Sequence, residues 1–217
     1  MNLFLSAQSA LAFPQPLSEK YRPRTIAEFI GLEKQRKILS AFALRPVSCA
    51  WLFLGPSGVG KSTMALALAE QMQAELHHIP SQRCTAQAID EVVRMCWYAP
   101  MVAGGFHLVL VDEADQMSNA AQLALLSKLD STAAPPNTIW IFTANDTSRL
   151  ETRFLSRTRV LEFSSYGMRA ELATLLAKIW ERETGTSGTL NWERIAKESN
   201  TNVRDALQTL EMELLAA

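Results

Sequence analysis

The sequence predicts an α/β fold: a five-stranded parallel sheet covered by helices on both faces, followed by a small three-helix domain. Three observations carry this expectation. Five short apolar runs alternate with segments of helical periodicity, the pattern of a parallel sheet whose strands are joined by crossover helices. One strand-to-helix junction, Gly55 to Thr63, reads GPSGVGKST and fits the spacing G-x-x-x-x-G-K-[ST]. After Tyr166 no further strand pattern occurs and only helical stretches follow.

Composition bounds what such a fold can do. At 217 residues the chain has room for one sizeable domain and a small one, burying roughly 70% of its unfolded surface. No apolar run approaches the ~20 residues of a membrane span, and no membrane partner is expected. The apolar start MNLFLSAQSALAF lacks a basic leading region, so a secretory signal is not expected. Cys49, Cys84 and Cys96 are odd in number and lack metal-ligand spacing, which reads as reduced thiols in a cytoplasmic protein. A formal net charge of −1 argues against a protein that coats nucleic acid, while leaving room for a local basic surface.

Taken in order, residues 1–16 read as an N-terminal tail. Within it Gln8, Leu11 and Phe13 have a Q-x-x-L-x-F spacing that resembles sliding-clamp-binding peptides, and an ordinary N-terminal arm is the plainer reading. Ser18 to Gly31 carries prolines among basic and aromatic residues, which predicts an extended chain that turns helical only after Thr25. Leu32 to Leu44 is a predicted helix with Ile38, Leu39 and Phe42 on one side. Ala50 to Leu54 is a buried strand and Lys61 to Gln73 the helix after the glycine-rich loop. Ala74 to Ile79 is a strand, Ala86 to Tyr98 a helix, and Pro100 to Gly105 a turn. Phe106 to Val111, Thr138 to Thr143 and Val160 to Phe163 are strands, and Gln122 to Leu129 is a helix. Arg169 to Glu183, Trp192 to Ser199 and Val203 to Leu215 complete the chain as helices, which divides it into a 17–165 α/β domain and a 166–217 helical domain.

The chemistry concentrates at the predicted carboxyl ends of the strands. In Gly55, Pro56, Ser57, Gly58, Val59, Gly60, Lys61, Ser62 and Thr63, glycine frees backbone N–H groups to face phosphates at a helix N-terminus. Lys61 would reach the β and γ positions, and the Ser62 hydroxyl would ligate magnesium. The strand LVLVDE supplies Asp112 for the magnesium shell and Glu113 to orient and deprotonate a water. Asn145, after the next apolar strand, is placed to hydrogen-bond that water or the γ-phosphate. Arg157 and Arg204 offer planar, permanently charged forks suited to a phosphoryl transition state. Two acids after a strand are also common as a helix cap, Asn145 reads alternatively as a turn residue, and both arginines read alternatively as solvated surface.

Together these residues resemble an AAA+ ATPase, and specifically a motor subunit of a sliding-clamp loader of the replication factor C type. EKYRP (Glu19 to Pro23) resembles the nucleotide-base box, Val111 to Asp130 the Walker B strand and the helix after it, IFTAND the first sensor, LSRT the arginine-finger motif and NVRDALQTLE the second sensor. The resemblance implies a P-loop NTPase fold with a helical lid, ATP and Mg2+ as cofactors, and Tyr21, Arg22, Ile30 and Gly31 near adenine. It implies an ATP site at a subunit interface of a homo- or hetero-oligomer, with Arg157 acting in trans and Arg204 in cis from the lid. The implied partners are DNA, as primer-template or junction, and a sliding clamp. Thr158 stands where the finger motif has Cys. The resemblance does not extend to the third, helical collar domain of such subunits, so the expectation is that partners supply a collar, that assembly depends on ATP and DNA, or that the protein is not a clamp loader in the strict sense. A Holliday-junction or replication-restart motor shares most of these motifs and stays open, as does a nucleotide-dependent scaffold without catalysis.

Overall fold

The computed structural model describes residues 15–130, 133–188 and 190–216. The clamp-peptide spacing of Gln8, Leu11 and Phe13 lies outside them. In chain order the elements are α1 (Leu17–Lys20), a 3-10 turn at Ile26–Glu28, α2 (Glu33–Leu44), β1 (Cys49–Leu54), α3 (Lys61–Met72) and β2 (Glu75–Pro80). A second 3-10 turn (Ser81–Arg83) leads to α4 (Ala86–Cys96) and β3 (His107–Asp112). A third (Ala114–Gln116) leads to α5 (Asn119–Lys128), β4 (Thr138–Ala144), α6 (Thr152–Leu155) and β5 (Arg159–Glu162). The helices α7 (Arg169–Thr184), α8 (Trp192–Glu198) and α9 (Val203–Ala216) follow.

The sheet is parallel throughout, in the order β2-β3-β4-β1-β5. Alternation along the strands explains why both faces are covered. Trp51, Phe53, Leu108, Leu110, Ile139 and Ile141 face one side, where Met64 and Leu68 of α3 pack on them. Leu52, Val109, Val111, Trp140 and Phe142 face the other, under Ile89 and Val93 of α4 and Leu125 of α5. Each such side chain removed from water contributes about 1.5–3 kcal/mol before conformational entropy is charged. The helices begin where the sequence caps them: the hydroxyls of Thr85 and Ser118 accept from the amides of Ala88 and Ala121, and the Asn191 carboxamide accepts from Arg194.

The strand order places the carboxyl ends of β1, β4 and β3 side by side on one edge. β4 separates β1 from β3, with Leu54 paired to Ala144 and Val111 to Phe142. At these ends stand Gly55 just after β1, Asn145 just after β4, and Asp112, the last residue of β3, followed by Glu113. This is the edge of an open parallel sheet at which ligands bind.

Helices α7 to α9 build their own core from Leu172, Leu176, Ile179, Ile195, Leu207 and Leu210, with Leu17 of α1 buried among them. That contact corrects one expectation. Residues 17–20 are helical and not extended, because Leu17 docks into the α7–α9 core while the backbone amides of Glu19 and Lys20 close onto the Pro16 carbonyl at 2.9 and 3.0 Å. The short α6 was not expected either. It is fixed by tertiary packing, Phe154 lying edge-on to Phe142 with ring centroids 4.8 Å apart. No helix among the described residues is long and apolar enough to cross a membrane.

Candidate active site

The glycine-rich loop takes the shape its glycines permit. Gly58 and Gly60 have φ of +73° and +98°, left-handed conformations that side chains resist. A Cβ on Gly55 would lie 2.2 Å from the Phe163 carbonyl oxygen, so only glycine lets the loop leave β1 beside β5. Gly60 then caps α3 without a side-chain partner, and the helix presents the unpaired amides of its first turn to the loop's hollow.

Lys61, only 8% exposed, turns back into the loop. Its ammonium donates to the carbonyls of Gly55 and Pro56 at 2.6 and 2.8 Å and to Asn145 Oδ1 at 3.1 Å. Burial pulls its pKa down. The carboxylate of Asp115 pushes it back up, Arg204 lowers it further, and Asp112 and Glu113 add to the upward pull. These influences place the phosphate-loop lysine, the carboxylates after β3 and the arginine of α9 within one electrostatic neighbourhood.

Asp112 is the hub. Its Oδ1 accepts from the Ser62 hydroxyl at 2.5 Å and from the Thr143 hydroxyl at 3.0 Å, and its Oδ2 lies 2.8 Å from His78 Nε2. Thr143 also accepts from the Glu113 amide at 3.0 Å. That bond anchors Glu113 at φ +54°, a conformation costing a non-glycine residue about 1–3 kcal/mol. The left-handed step turns the exposed Glu113 side chain out of the strand direction and into the cavity. Asp115 is buried, and one of its oxygens has no hydrogen-bond partner among the described residues.

Lys61, Ser62, His78, Asp112, Glu113, Thr143 and Asn145 line a cavity of about 490 Å³ between the sheet edge and the helices α7 and α9, a size suited to a small organic ligand. Ser57, Gly58, Val59, Gly60, Lys61, Ser62, Thr63, Asp112, Glu113, Asn145 and Arg204 face it, as do Tyr21, Arg22 and Ile30. Gly55, Pro56 and Gly31 do not line it. The first two offer carbonyls to Lys61, and the Gly31 amide donates to the Glu171 carboxylate of α7. Arg157 lies on the surface outside the cavity, its guanidinium donating to the Arg153 carbonyl at 2.9 Å. A larger hollow, of about 880 Å³ and bordered by Pro23, Leu66 and Gln73, contains none of the phosphate-loop residues.

Four residues at the site escaped the sequence reading: His78, Thr143, Asp115 and Asn202. Asn202 caps α9, its Oδ1 accepting from the Arg204 amide at 3.0 Å, and presses on the loop so closely that a Cβ on Gly58 would sit 1.9 Å from that oxygen. The donor set tests well for a hard divalent cation. The Ser62 hydroxyl and the Asp112 carboxylate, two oxygen donors in contact, suit Mg2+ coordinated with phosphate oxygens and water. The glycine cradle, the helix N-terminus and Lys61 suit a polyphosphate.

Comparison with known proteins agrees with this geometry. Residues 51–166 match the ATPase family associated with various cellular activities (AAA). The chain is 35% identical to replication factor C small subunit 1 of Pyrobaculum islandicum over 67% of this chain and 46% of that protein. It is 33% identical to a replication factor C small subunit of Thermofilum pendens, over 89% and 61%, and 30% identical to replication factor C subunit 3 of Blastobotrys adeninivorans, over 90% and 59%. It thus spans about half to three fifths of the curated relatives it matches. Among solved structures, the Thermotoga maritima RuvB Holliday junction branch migration motor superposes with a TM-score of 0.71 at 24% identity, covering 88% of this chain and 64% of that one, a likeness of fold. With more than half of its length matched by the family and the phosphate loop, acidic strand end and Asn145 converging on one cavity, this chain belongs to the AAA family of ATPases.

Proposed function

We propose that the protein is an ATP-hydrolysing motor subunit that acts on DNA, a clamp-loader-like subunit that assembles with its neighbours into a spiral or ring. The observation that carries this reading is the linkage Ser62, Asp112, Thr143, Glu113, which ties the end of the phosphate loop to a strained acidic residue at the cavity wall. Ser62 and Asp112 would hold Mg2+, which when bound would supply charge neutralisation to the phosphates, and Lys61 would exchange its loop carbonyls for phosphate oxygens. Asn145 orients the attacking water, and Glu113 accepts its proton as the oxygen bonds to the γ-phosphorus and the bond to the ADP oxygen breaks. Tyr21, Arg22 and Ile30 take the base side of the cavity.

Arg204 reaches the phosphates from the 166–217 segment, which acts as a lid over the 17–165 domain. Arg157, at the surface and outside its own cavity, serves the γ-phosphate of a neighbouring subunit, worth ~10³–10⁵ in rate. Primer-template DNA is the partner that stimulates turnover, and a sliding clamp the object loaded, a reading supported by the replication factor C names of the relatives. The fold likeness to RuvB favours a second reading, a motor on four-way DNA junctions, distinguished by comparing ATPase stimulation by primed and junction DNA. Three free thiols fit a cytoplasmic setting.

The test is Glu113→Gln. It retains ATP binding and loses at least ~10²-fold in turnover, within the range for a general base. Turnover equal to wild type would sink the role given to Glu113 and favour a non-catalytic scaffold.

A further inference from the structure

At the far end of β3 from Asp112, about 16 Å along the strand, three metal-ligating side chains converge that take no part in the nucleotide site. His77 of β2, Cys96 at the end of α4 and His107 at the start of β3 bring ligand atoms within 4.8 Å of one another. His77 Nε2 and His107 Nδ1 are 3.0 Å apart. Glu75, paired with His107 in the sheet, places Oε2 3.7 Å from the same Nδ1. Alternation along β2 and β3 sends all three strand residues to the α4 face, where Cys96 is fully buried.

We propose that Glu75, His77, Cys96 and His107 bind a divalent cation of the zinc class, as a structural staple joining β2, α4 and β3. Nitrogen and sulfur donors at Zn–N of about 2.0–2.1 Å and Zn–S of about 2.3 Å stand about 3.3–3.6 Å apart around a tetrahedral ion. The observed separations bracket that spacing, so side-chain adjustment within the cluster suffices. His107 is already set as a ligand. Its Nε2 lies 2.9 Å from the Tyr98 carbonyl, which can only accept, so Nε2 carries the proton and Nδ1 offers its lone pair to the cluster. A second ring nitrogen bound to a backbone carbonyl is the outer support that fixes the tautomer of metal-bound histidines. Binding transfers the His77 proton from Nε2 to Nδ1 and releases the Cys96 thiol proton to solvent. The mixed thiolate, imidazole and carboxylate set suits zinc over magnesium or calcium.

The experiment uses the full chain, reduced, stripped of metal with a chelator and free of nucleotide, titrated with Co2+ as a spectroscopic substitute. One equivalent should produce a thiolate-to-cobalt charge-transfer band with tetrahedral d–d bands, and one equivalent of Zn2+ should abolish both. Cobalt at Ser62 and Asp112 would give no thiolate band. Cys96→Ser should lose the charge-transfer band. His77→Gln, at a half-buried position, should keep the wild-type far-UV circular dichroism and bind Co2+ more than ~10-fold more weakly, and Zn2+ should raise the melting temperature of the wild type but not of this variant. Absence of the band at neutral pH, its survival in Cys96→Ser, or wild-type affinity in His77→Gln would overturn the proposal.

Discussion

Replacing Thr143 by Val keeps the shape of a buried strand residue and deletes one oxygen with two duties. That oxygen donates to Asp112 Oδ1 and accepts from the Glu113 amide, each at 3.0 Å. A hydrogen bond to a carboxylate contributes about 1.5–3 kcal/mol, and an amide left without a partner costs about 1–3 kcal/mol. Asp112 keeps Ser62 and His78, so the first figure applies only in part and the expected loss is about 2–4 kcal/mol. For a chain of this size each kcal/mol lowers the melting temperature by about 2–4 °C, giving a fall of roughly 4–16 °C. The functional effect should exceed the structural one. Glu113 sits in a left-handed conformation held by the hydrogen bond its backbone N–H donates to the Thr143 hydroxyl, and a carboxylate misplaced by an ångström costs ~10²-fold in turnover. Nucleotide affinity, set by the phosphate loop, should change little. Calorimetry, a labelled-ATP titration and single-turnover hydrolysis measure the three quantities, and Thr143→Ser should restore most of each. A valine variant with wild-type turnover and a melting temperature within about 1 °C of wild type would refute the coupling of Glu113 through Thr143.

Gly58→Ala should lower ATP affinity by about tenfold or more, because its Cβ collides with Asn202 and displaces the α9 end carrying Arg204, while φ of +73° adds about 1–2 kcal/mol of strain; a nucleotide titration unchanged from wild type would disprove that contact. The Glu183 carboxylate is held below its ordinary range by hydrogen bonds first from Lys20 and then from Tyr21, so its stabilising effect is present above the unfolded value of about 4.3 and fades as pH falls through the lowered folded value. The melting-temperature gap between wild type and Glu183→Gln should therefore close on acidification from pH 7 to 3, and a gap independent of pH would count against this tie between α1 and α7. Stimulation of ATP hydrolysis by primed DNA should fall steeply with added salt, as phosphate contacts require; a rate indifferent to every form of DNA would favour a scaffold or a motor on protein.

Much of the fold was legible in the sequence, because apolar runs such as Phe106 to Val111 and Thr138 to Thr143 are too short for buried helices and alternate with helical segments, the pattern of buried parallel strands. The phosphate loop, Asp112, Glu113, Asn145 and Arg204 line one cavity because each lies at the end of a strand or near the start of a helix. What stayed hidden depends on packing between distant segments. Leu17 becomes helical by docking on α7 to α9. Thr143 looks like any β-branched strand residue until the register places it beside Asp112. Cys96 lacks ligand spacing with the other cysteines, and its partners are histidines on two separate strands that only the sheet brings together.

The proposed site is composite, with Arg157 serving the ATP held by a neighbour. Mixing two inactive variants tests it most directly. Lys61→Ala keeps the finger and loses the pocket, and Arg157→Ala keeps the pocket and loses the finger. In an equimolar mixture of head-to-tail subunits about a quarter of the interfaces combine an intact pocket with an intact finger. With Arg157 acting in trans, steady-state ATP hydrolysis should recover to about that fraction of wild type. A mixture no more active than the two variants measured apart would contradict it.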